Sequence, residues 1–324
     1  MKEYPDMHKS EKLFPAMGTI ISLAAYGMGA EKVLNAAQST VESLDRLLSH
    51  TRGDSEISRL NSASGGEWLR VQDDTAACLN EATRCAETTG GTFDPALGVL
   101  IDLWAAARKK KRIPAQYQIE RALDSGGFRS IERGGAGRFR LANGAKLNLG
   151  GIGKGYAADQ ICALCRSESV SSALFSLGTS SITALGVKPD GSPWKVGLRA
   201  VDGGNGVCFG TVRISGRFLS TSGDYEDFDV IDGRRCHHIL DTNTGYPADS
   251  GLRSVTIIAD SGVVSEAYST ALFVMGLERA LEFHRRAGGF EGIFVTSDRR
   301  VHCTPGAREV FEFSGPELGY RYEA

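Results

Sequence analysis

The chain has 324 residues, 41% hydrophobic and 23% charged, with a formal net charge of −2. That length and balance describe a soluble globular protein with a sizeable core, built as one large or two ordinary domains. Near-neutral charge gives no reason to expect a nucleic-acid partner, and no stretch reaches the ~20 apolar residues of a membrane span.

The opening residues MKEYPDMHKSEKLFP hold neither an apolar signal core nor an early cysteine for a lipid, so a cytoplasmic location is expected. Residues 1–12 are expected to be a tail and 13–320 a single domain. TIISLAAY, residues 19–26, reads as a strand entered through Gly18. Residues 30–48 read as a helix, because Val33, Leu34, Ala37, Val41, Leu44 and Leu48 recur at helical spacing. A second helix spans 73–88 and closes at Gly90 and Gly91. The basic run 108–112, just after Trp104, reads as a solvated helix end or loop. FRLANGAKLNL, residues 139–149, alternates around Asn143-Gly144 and predicts a hairpin that leads straight into a glycine cluster.

A helix over 156–166 follows. Strands are expected at 173–177, 194–198, 207–214, 255–259 and 292–296, with helices at 265–275 and 277–286. VDGGNG, residues 201–206, fits a loop. Strands and helices mix without regular alternation, which predicts an α+β fold of mixed, largely antiparallel sheets with packed helices. Seven cysteines scattered over the chain look like reduced core thiols rather than a disulfide framework. Cys162 and Cys165 form a CxxC inside a helix, with no second pair or histidine to complete a zinc site.

Four constellations bear chemistry. LNLGGIGKGYAAD, residues 147–159, crowds Gly150, Gly151, Gly153 and Gly155 around Lys154. It is not a P-loop, because Asn148 stands where the first glycine belongs and Gly155 where the hydroxyl belongs. The dinucleotide fingerprint fails at Tyr156. A glycine turn at a helix start can still hold an anion, with Lys154 as a point charge, or it is a structural turn only. Second, His238 with Asp241 three residues on suits a base and its orienter, or an Asx-type turn. Third, Glu266 and Thr270 at i and i+4 share a helix face and can offer oxygen to a hard cation such as Mg²⁺, or make a local contact. Fourth, Phe93-Asp94-Pro95 places an aromatic and a carboxylate on a loop after a helix.

Taken in order, AMGT (16–19), LSHTRGDSEISRLN (48–61), GGTFDPALGVLIDLW (90–104), LNLGGIGKGYAAD, STSGDYE with HHILDTNTGYP, and SEAYSTALFVMG resemble the FAD:protein FMN transferases, the ApbE family. The resemblance spans nearly the whole chain. It implies an ApbE-like fold and an enzyme that binds FAD with Mg²⁺, cleaves the pyrophosphate, and transfers FMN to a Ser or Thr hydroxyl of a target flavoprotein, releasing AMP. By position it implies that Met17, Thr51, Thr92, Phe93, Asp94, Asn148, Lys154 and Ile239 face FAD. It assigns His238, with Asp241, to catalysis. Gly151 through its carbonyl, Glu266 and Thr270 are implied as metal ligands.

The sequence also departs from the family pattern. Glu266 and Asn148 stand where Asp is usual, and Thr51 replaces an aromatic that often stacks on the flavin. Ser176-Leu177-Gly178-Thr179 stands for Asn-x-Gly-Gly, and Thr242 for a proline. Two other functions use the same groups: an Mg²⁺-dependent FAD pyrophosphatase giving FMN and AMP, and a non-catalytic flavin-binding protein.

Overall fold

The computed structural model describes residues 8–142, 144–204 and 206–323. Its first two strands, β1 (Lys9–Ala16) and β2 (Thr19–Tyr26), form an antiparallel hairpin in which Ala16 faces Thr19. The two turn residues, Met17 and Gly18, both sit at positive φ, 51° and 72°. That geometry matches the twist of the flanking strands. Residues 9–12, expected in a tail, are thus strand, and the carbonyl of His8 before them accepts the Gly27 N–H at 3.0 Å; residues 1–7 lie outside the described residues.

α1 (Ala30–Leu48) buries the six residues that predicted it. The next elements are α2 (Glu56–Ser62), β3 (Leu69–Arg70), α3 (Asp73–Thr88), α4 (Gly98–Lys110), α5 (Gln116–Asp124), β4 (Ile131–Gly134) and β5 (Arg138–Leu141). The hairpin expected over 139–149 is not the pairing that β5 makes. β5 pairs with β3 and β4, not with the residues after it, and Asn143 lies outside the described residues. Residues 145–149 alternate because Ala145, Leu147 and Leu149 are buried. Their backbone is satisfied by other partners. Asn61 brackets Leu147, donating to its carbonyl at 3.0 Å and accepting its N–H at 2.6 Å, while Asn148 donates its N–H to the Pro95 carbonyl at 2.8 Å.

Then come α6 (Gly153–Ser167), β6 (Ser172–Leu177), β7 (Ser181–Leu185), β8 (Trp194–Arg199), β9 (Cys208–Ile214), β10 (Phe218–Gly223), β11 (Phe228–Ile231), β12 (Arg234–His237) and β13 (Leu252–Ala259). The chain ends with α7 (Gly262–Met275), α8 (Leu277–Ala287), β14 (Phe290–Thr296), β15 (Arg300–Cys303), α9 (Pro305–Val310), β16 (Phe311–Phe313) and β17 (Arg321–Glu323). Nine strands join in the order β1-β2-β6-β7-β10-β13-β14-β15-β17. Within that sheet β15 and β17 run parallel; the other neighbouring pairs are antiparallel. The α+β architecture is as expected.

Helices α1, α6 and α7 pack on one face of the large sheet, around Leu23, Leu44, Phe175 and Phe273. A three-stranded sheet, β16-β9-β8, contributes Trp194, Phe209 and Val212 to a second core with Leu219, Ile258 and Val295 of the large sheet. A third cluster joins α4, α5 and the β11–β12 hairpin through Trp104, Ile119 and Ile231. Cys162 and Cys165 are buried on α6, and burial pushes their thiols up to about 12 and about 11. They are core residues, as expected.

Two glycines fix the crossing of α6 and α7. A Cβ on Gly155 would lie 2.2 Å from the Gly262 carbonyl oxygen, and one on Gly262 would lie 2.3 Å from that of Gly155. Backbone meets backbone here, so nothing flexible can yield. The Gly155→Ala substitution is expected to destabilise the protein by about 3 kcal/mol, since overpacked backbone must shift. Denaturant unfolding of wild type and variant measures this; an unchanged midpoint would refute the close-approach role.

Candidate active site

The α6–α7 crossing opens onto a cleft of about 590 Å³ between the helices, the large sheet and the three-stranded sheet. That size suits a small-molecule site. Its walls bring together Thr92, Phe93, Asp94, Asn148, Gly151, Lys154, His238, Ile239, Glu266 and Thr270 from four distant stretches of sequence. Met17, Thr51 and Asp241 are not among the lining residues.

Lys154 and Glu266 form the charged centre. Lys154 stands in the first turn of α6, and its ammonium pairs with Glu266 Oε1. The Glu266 carboxylate is only 5% exposed. Its Oε2 accepts the Gly155 N–H at 2.5 Å, and Ser181 Oγ donates to Oε1 at 3.3 Å. The positive end of α6 therefore already holds an anion, and that anion is a side chain of α7. In return Asp159 on α6 caps α7. It accepts the N–H groups of Gly262 at 2.8 Å and Val263 at 3.0 Å, and the Ser261 hydroxyl at 3.0 Å. The two helices thus hold each other's N-termini.

Oxygen atoms gather beside the pair. Thr270 Oγ1 lies 3.5 Å from its helix's own Glu266 carbonyl and 3.3 Å from Ser222 Oγ. A Cβ on Gly151 would sit 3.2 Å from the Phe93 ring and 3.7 Å from Thr270 Oγ1, so Gly151 abuts both. Among the described residues no group of three or more His, Cys, Asp or Glu side chains could hold a metal. The Gly151 carbonyl, Glu266 and Thr270 instead offer one carboxylate with neutral oxygens. Such a set fits a hard cation that completes its shell on a ligand's phosphates.

Asn148 Oδ1 accepts the Gly150 N–H at 2.9 Å and so shapes the turn that presents Gly151. Asp94 also lines the cleft. Its two oxygens accept the N–H groups of Ala96 at 2.7 Å and Phe128 at 2.9 Å, yet burial pushes its carboxyl up to about 6.

His238 follows β12 and remains open to solvent along the cleft. Desolvation by the cleft walls lowers its pKa, with Asp227 opposing and Arg108 and Lys154 adding to the lowering. The neighbouring His237 is buried; its Nε2 is 3.0 Å from the Ala248 carbonyl. Ile239, 4% exposed, forms the cleft wall beside His238. The structure gives Asp241 another occupation: Oδ1 accepts the N–H and Nδ2 of Asn243 at 2.8 Å and 3.2 Å, closing an Asx turn. The carboxylate beside His238 is Asp227, a residue the sequence pattern did not single out.

Met17 holds its turn by donating its N–H to Asp45 Oδ1 at 3.0 Å. Thr51 is exposed, with its hydroxyl 3.1 Å from Ser49 Oγ. Thr179, of the departing Ser-Leu-Gly-Thr stretch, lines the cleft, and its hydroxyl lies 3.3 Å from the Glu226 carboxylate.

The ApbE family model matches residues 17–294. An FAD:protein FMN transferase of Treponema pallidum is 32% identical over 309 residues, covering 90% of this chain and 85% of its own. One from Salmonella typhimurium is 31% identical, covering 84% and 80%. Among solved structures, the ApbE protein of Thermotoga maritima superposes with a TM-score of 0.86 at 29% identity, over 94% of this chain and 99% of its own. The flavinyl transferase ApbE of Pseudomonas stutzeri, in its apo form, gives 0.83 at 28% identity, over 94% and 97%.

The Asp94 environment predicts a pH effect on stability. A carboxyl raised to about 6 in the folded protein binds a proton that the unfolded chain has already lost above the ordinary aspartate range. Its contribution is fully favourable below about pH 4 and is lost as pH rises through about 6. The melting temperature of wild type relative to Asp94→Asn is expected to fall across that window. A difference that stays constant from pH 4 to 7 would contradict the raised pKa.

Proposed function

The chain belongs to the ApbE family, and from that premise we propose that it is an Mg²⁺-dependent FAD:protein FMN transferase, moving FMN from FAD to a Ser or Thr hydroxyl of a target flavoprotein and releasing AMP. One observation carries the reading: Lys154, Glu266, Thr270, the Gly151 carbonyl and His238 converge on one cleft although they are drawn from residues 151 to 270.

Asn148 and Lys154 would flank the FAD pyrophosphate, with Thr92, Phe93 and Asp94 against the rest of FAD. Glu266, Thr270 and the Gly151 carbonyl would hold an Mg²⁺, which would supply charge neutralisation and Lewis-acid polarisation at the phosphates. Lys154 adds a second positive charge to the bridging region as negative charge develops. His238, uncharged because the cleft walls disfavour its protonated form, takes the proton from the acceptor hydroxyl. The hydroxyl oxygen bonds to the FMN-side phosphorus as the bond to the AMP-side bridging oxygen breaks. FMN is left as a phosphodiester on the acceptor, and AMP departs. Phe93 and Ile239, both nearly fully buried, add apolar surface to the cleft wall beside Gly151 and His238.

A second reading uses water as the acceptor, making the protein an FAD pyrophosphatase. The solvent-open position of His238 favours it, since a water reaches the base as readily as a side-chain hydroxyl. Incubation with FAD, Mg²⁺ and a Thr-bearing acceptor domain separates the two: transfer adds the FMN mass to the acceptor, whereas hydrolysis releases AMP without it.

The His238→Ala variant is expected to lose at least ~10²-fold in transfer rate, the usual worth of a positioned base. Retained transfer would remove His238 from that role. Chelation by EDTA is expected to abolish transfer, with Mg²⁺ restoring it. The Glu266→Gln variant, which loses the anionic ligand, should need at least ~10-fold more Mg²⁺ for half-maximal rate. An unaltered Mg²⁺ requirement would count against Glu266 as a ligand.

A further inference from the structure

The basic run after Trp104 is not merely solvated. Arg108, in the last turn of α4, is largely covered and grips the segment that leads to His238. Its Nη1 donates to Asp227 Oδ2 at 3.0 Å, its Nη2 to Asp227 Oδ1, and its Nε to Asp229 Oδ2 at 3.3 Å. Lys111 pairs with the other oxygen of Asp229. A bidentate guanidinium–carboxylate pair fixes both distance and orientation.

The hairpin register explains why this matters for His238. β11 and β12 pair antiparallel, with Phe228 opposite His237. One step further, Asp227 comes opposite His238. Beyond His238, α4 takes hold again: Trp104 Nε1 donates to the Gly245 carbonyl at 2.7 Å, and its ring meets Tyr246 edge-on at 5.7 Å. The His238 segment therefore hangs between a polar anchor before it and an aromatic anchor after it, both on one helix.

We propose that Arg108 is a positioning residue for the transfer reaction: by engaging both oxygens of Asp227 it fixes the mouth of the β11–β12 hairpin and so holds the His238 ring at the cleft wall. The proposal rests on His238 being the base. Arg108 has a second effect. Four charged or titratable groups face His238: Asp227, Arg108, Lys154 and the adjacent His237. With its oxygens on the guanidinium, Asp227 is held below the usual carboxylate range, and the Arg108 charge offsets part of the pull that this carboxylate exerts on the His238 proton.

The test uses the full chain. Arg108→Met keeps the apolar stem and removes the fork. The ring signals of the six histidines are followed by NMR against pH, with His238 assigned by loss of its signal in His238→Gln. In Arg108→Met the His238 midpoint is expected to rise by about one pH unit, because the carboxylate opposite is freed. In the double variant Arg108→Met/Asp227→Asn it should return toward wild type, a rescue that a merely structural role does not give. In flavinylation of a Thr-bearing acceptor domain, Arg108→Met should lower kcat about tenfold with KM for FAD within twofold, and its acid limb should move to higher pH. Where Arg108→Met does not fold, Arg108→Lys serves, keeping the charge while losing the bidentate grip: kcat should fall several-fold with the acid limb in place. A His238 midpoint unmoved in Arg108→Met, no return in the double variant, or wild-type kcat in Arg108→Lys overturns the proposal. His238→Ala in the same assay separates the two claims. If it retains transfer, the base assignment fails; if it is inactive while Arg108 variants match wild type at every pH, only the positioning role fails.

Discussion

Everything in the cleft depends on how closely α6 and α7 approach. Their N-terminal turns meet backbone to backbone at Gly155 and Gly262, where a single Cβ on either side has no room. Each helix then closes the other's open end. Asp159 of α6 accepts the first N–H groups of α7, and Glu266 of α7 accepts the Gly155 N–H of α6. Unsatisfied N–H groups at a buried helix start would be costly. Here each helix is complete only with the other in place, so the angle between them is not free to drift. Lys154 and Glu266 are by-products of that clasp, since both lie within a turn or so of the contact.

The same arrangement explains why the glycine cluster resembles a phosphate loop without being one. Its glycines do different work. Gly151 leaves space against Phe93 and Thr270, and Gly155 permits the helix crossing. The helix dipole that would attract a phosphate is already satisfied by a carboxylate. What the loop presents to the cleft is a lysine, a carbonyl and a shaped turn held by Asn148.

Periodicity made α1, β2 and α3 legible to their ends, because each buries one regular stripe against the core. It misled at residues 145–149. Alternating burial there reports an extended strand-like path, but the partner is the Asn61 side chain rather than a second strand, and side-chain pairing leaves no mark on the period. The cleft-lining residues come from separate stretches that no local pattern links, so only the resemblance named them together, and Met17, Thr51 and Asp241, named with them, do not line it. Arg108 was not legible. Its partners, Asp227 and Asp229, lie about 120 residues downstream. A run of five basic residues offers no hint of which one turns inward. Asp241 shows the reverse failure: proximity in sequence to His238 suggested a dyad, whereas an aspartate two places before Asn243 is used to accept that residue's backbone N–H and close a local turn.

Glu266, where the family usually carries Asp, has a structural reason in this chain. From the second turn of α7 its carboxylate must satisfy three separated partners: Lys154, the Gly155 N–H and Ser181 Oγ. Two of them belong to α6 and one to β7, so the carboxylate spans the gap between helix and sheet. An aspartate, shorter by one methylene, would retreat from the Gly155 N–H and leave a buried donor unpaired. The longer side chain thus binds the clasp and the charged centre into one unit. It also leaves the centre as one ammonium against one carboxylate, a nearly neutral pair. Anionic phosphates that reach this pair meet no net negative charge from it, and with Asn148 in place of an acid the loop beside them adds none.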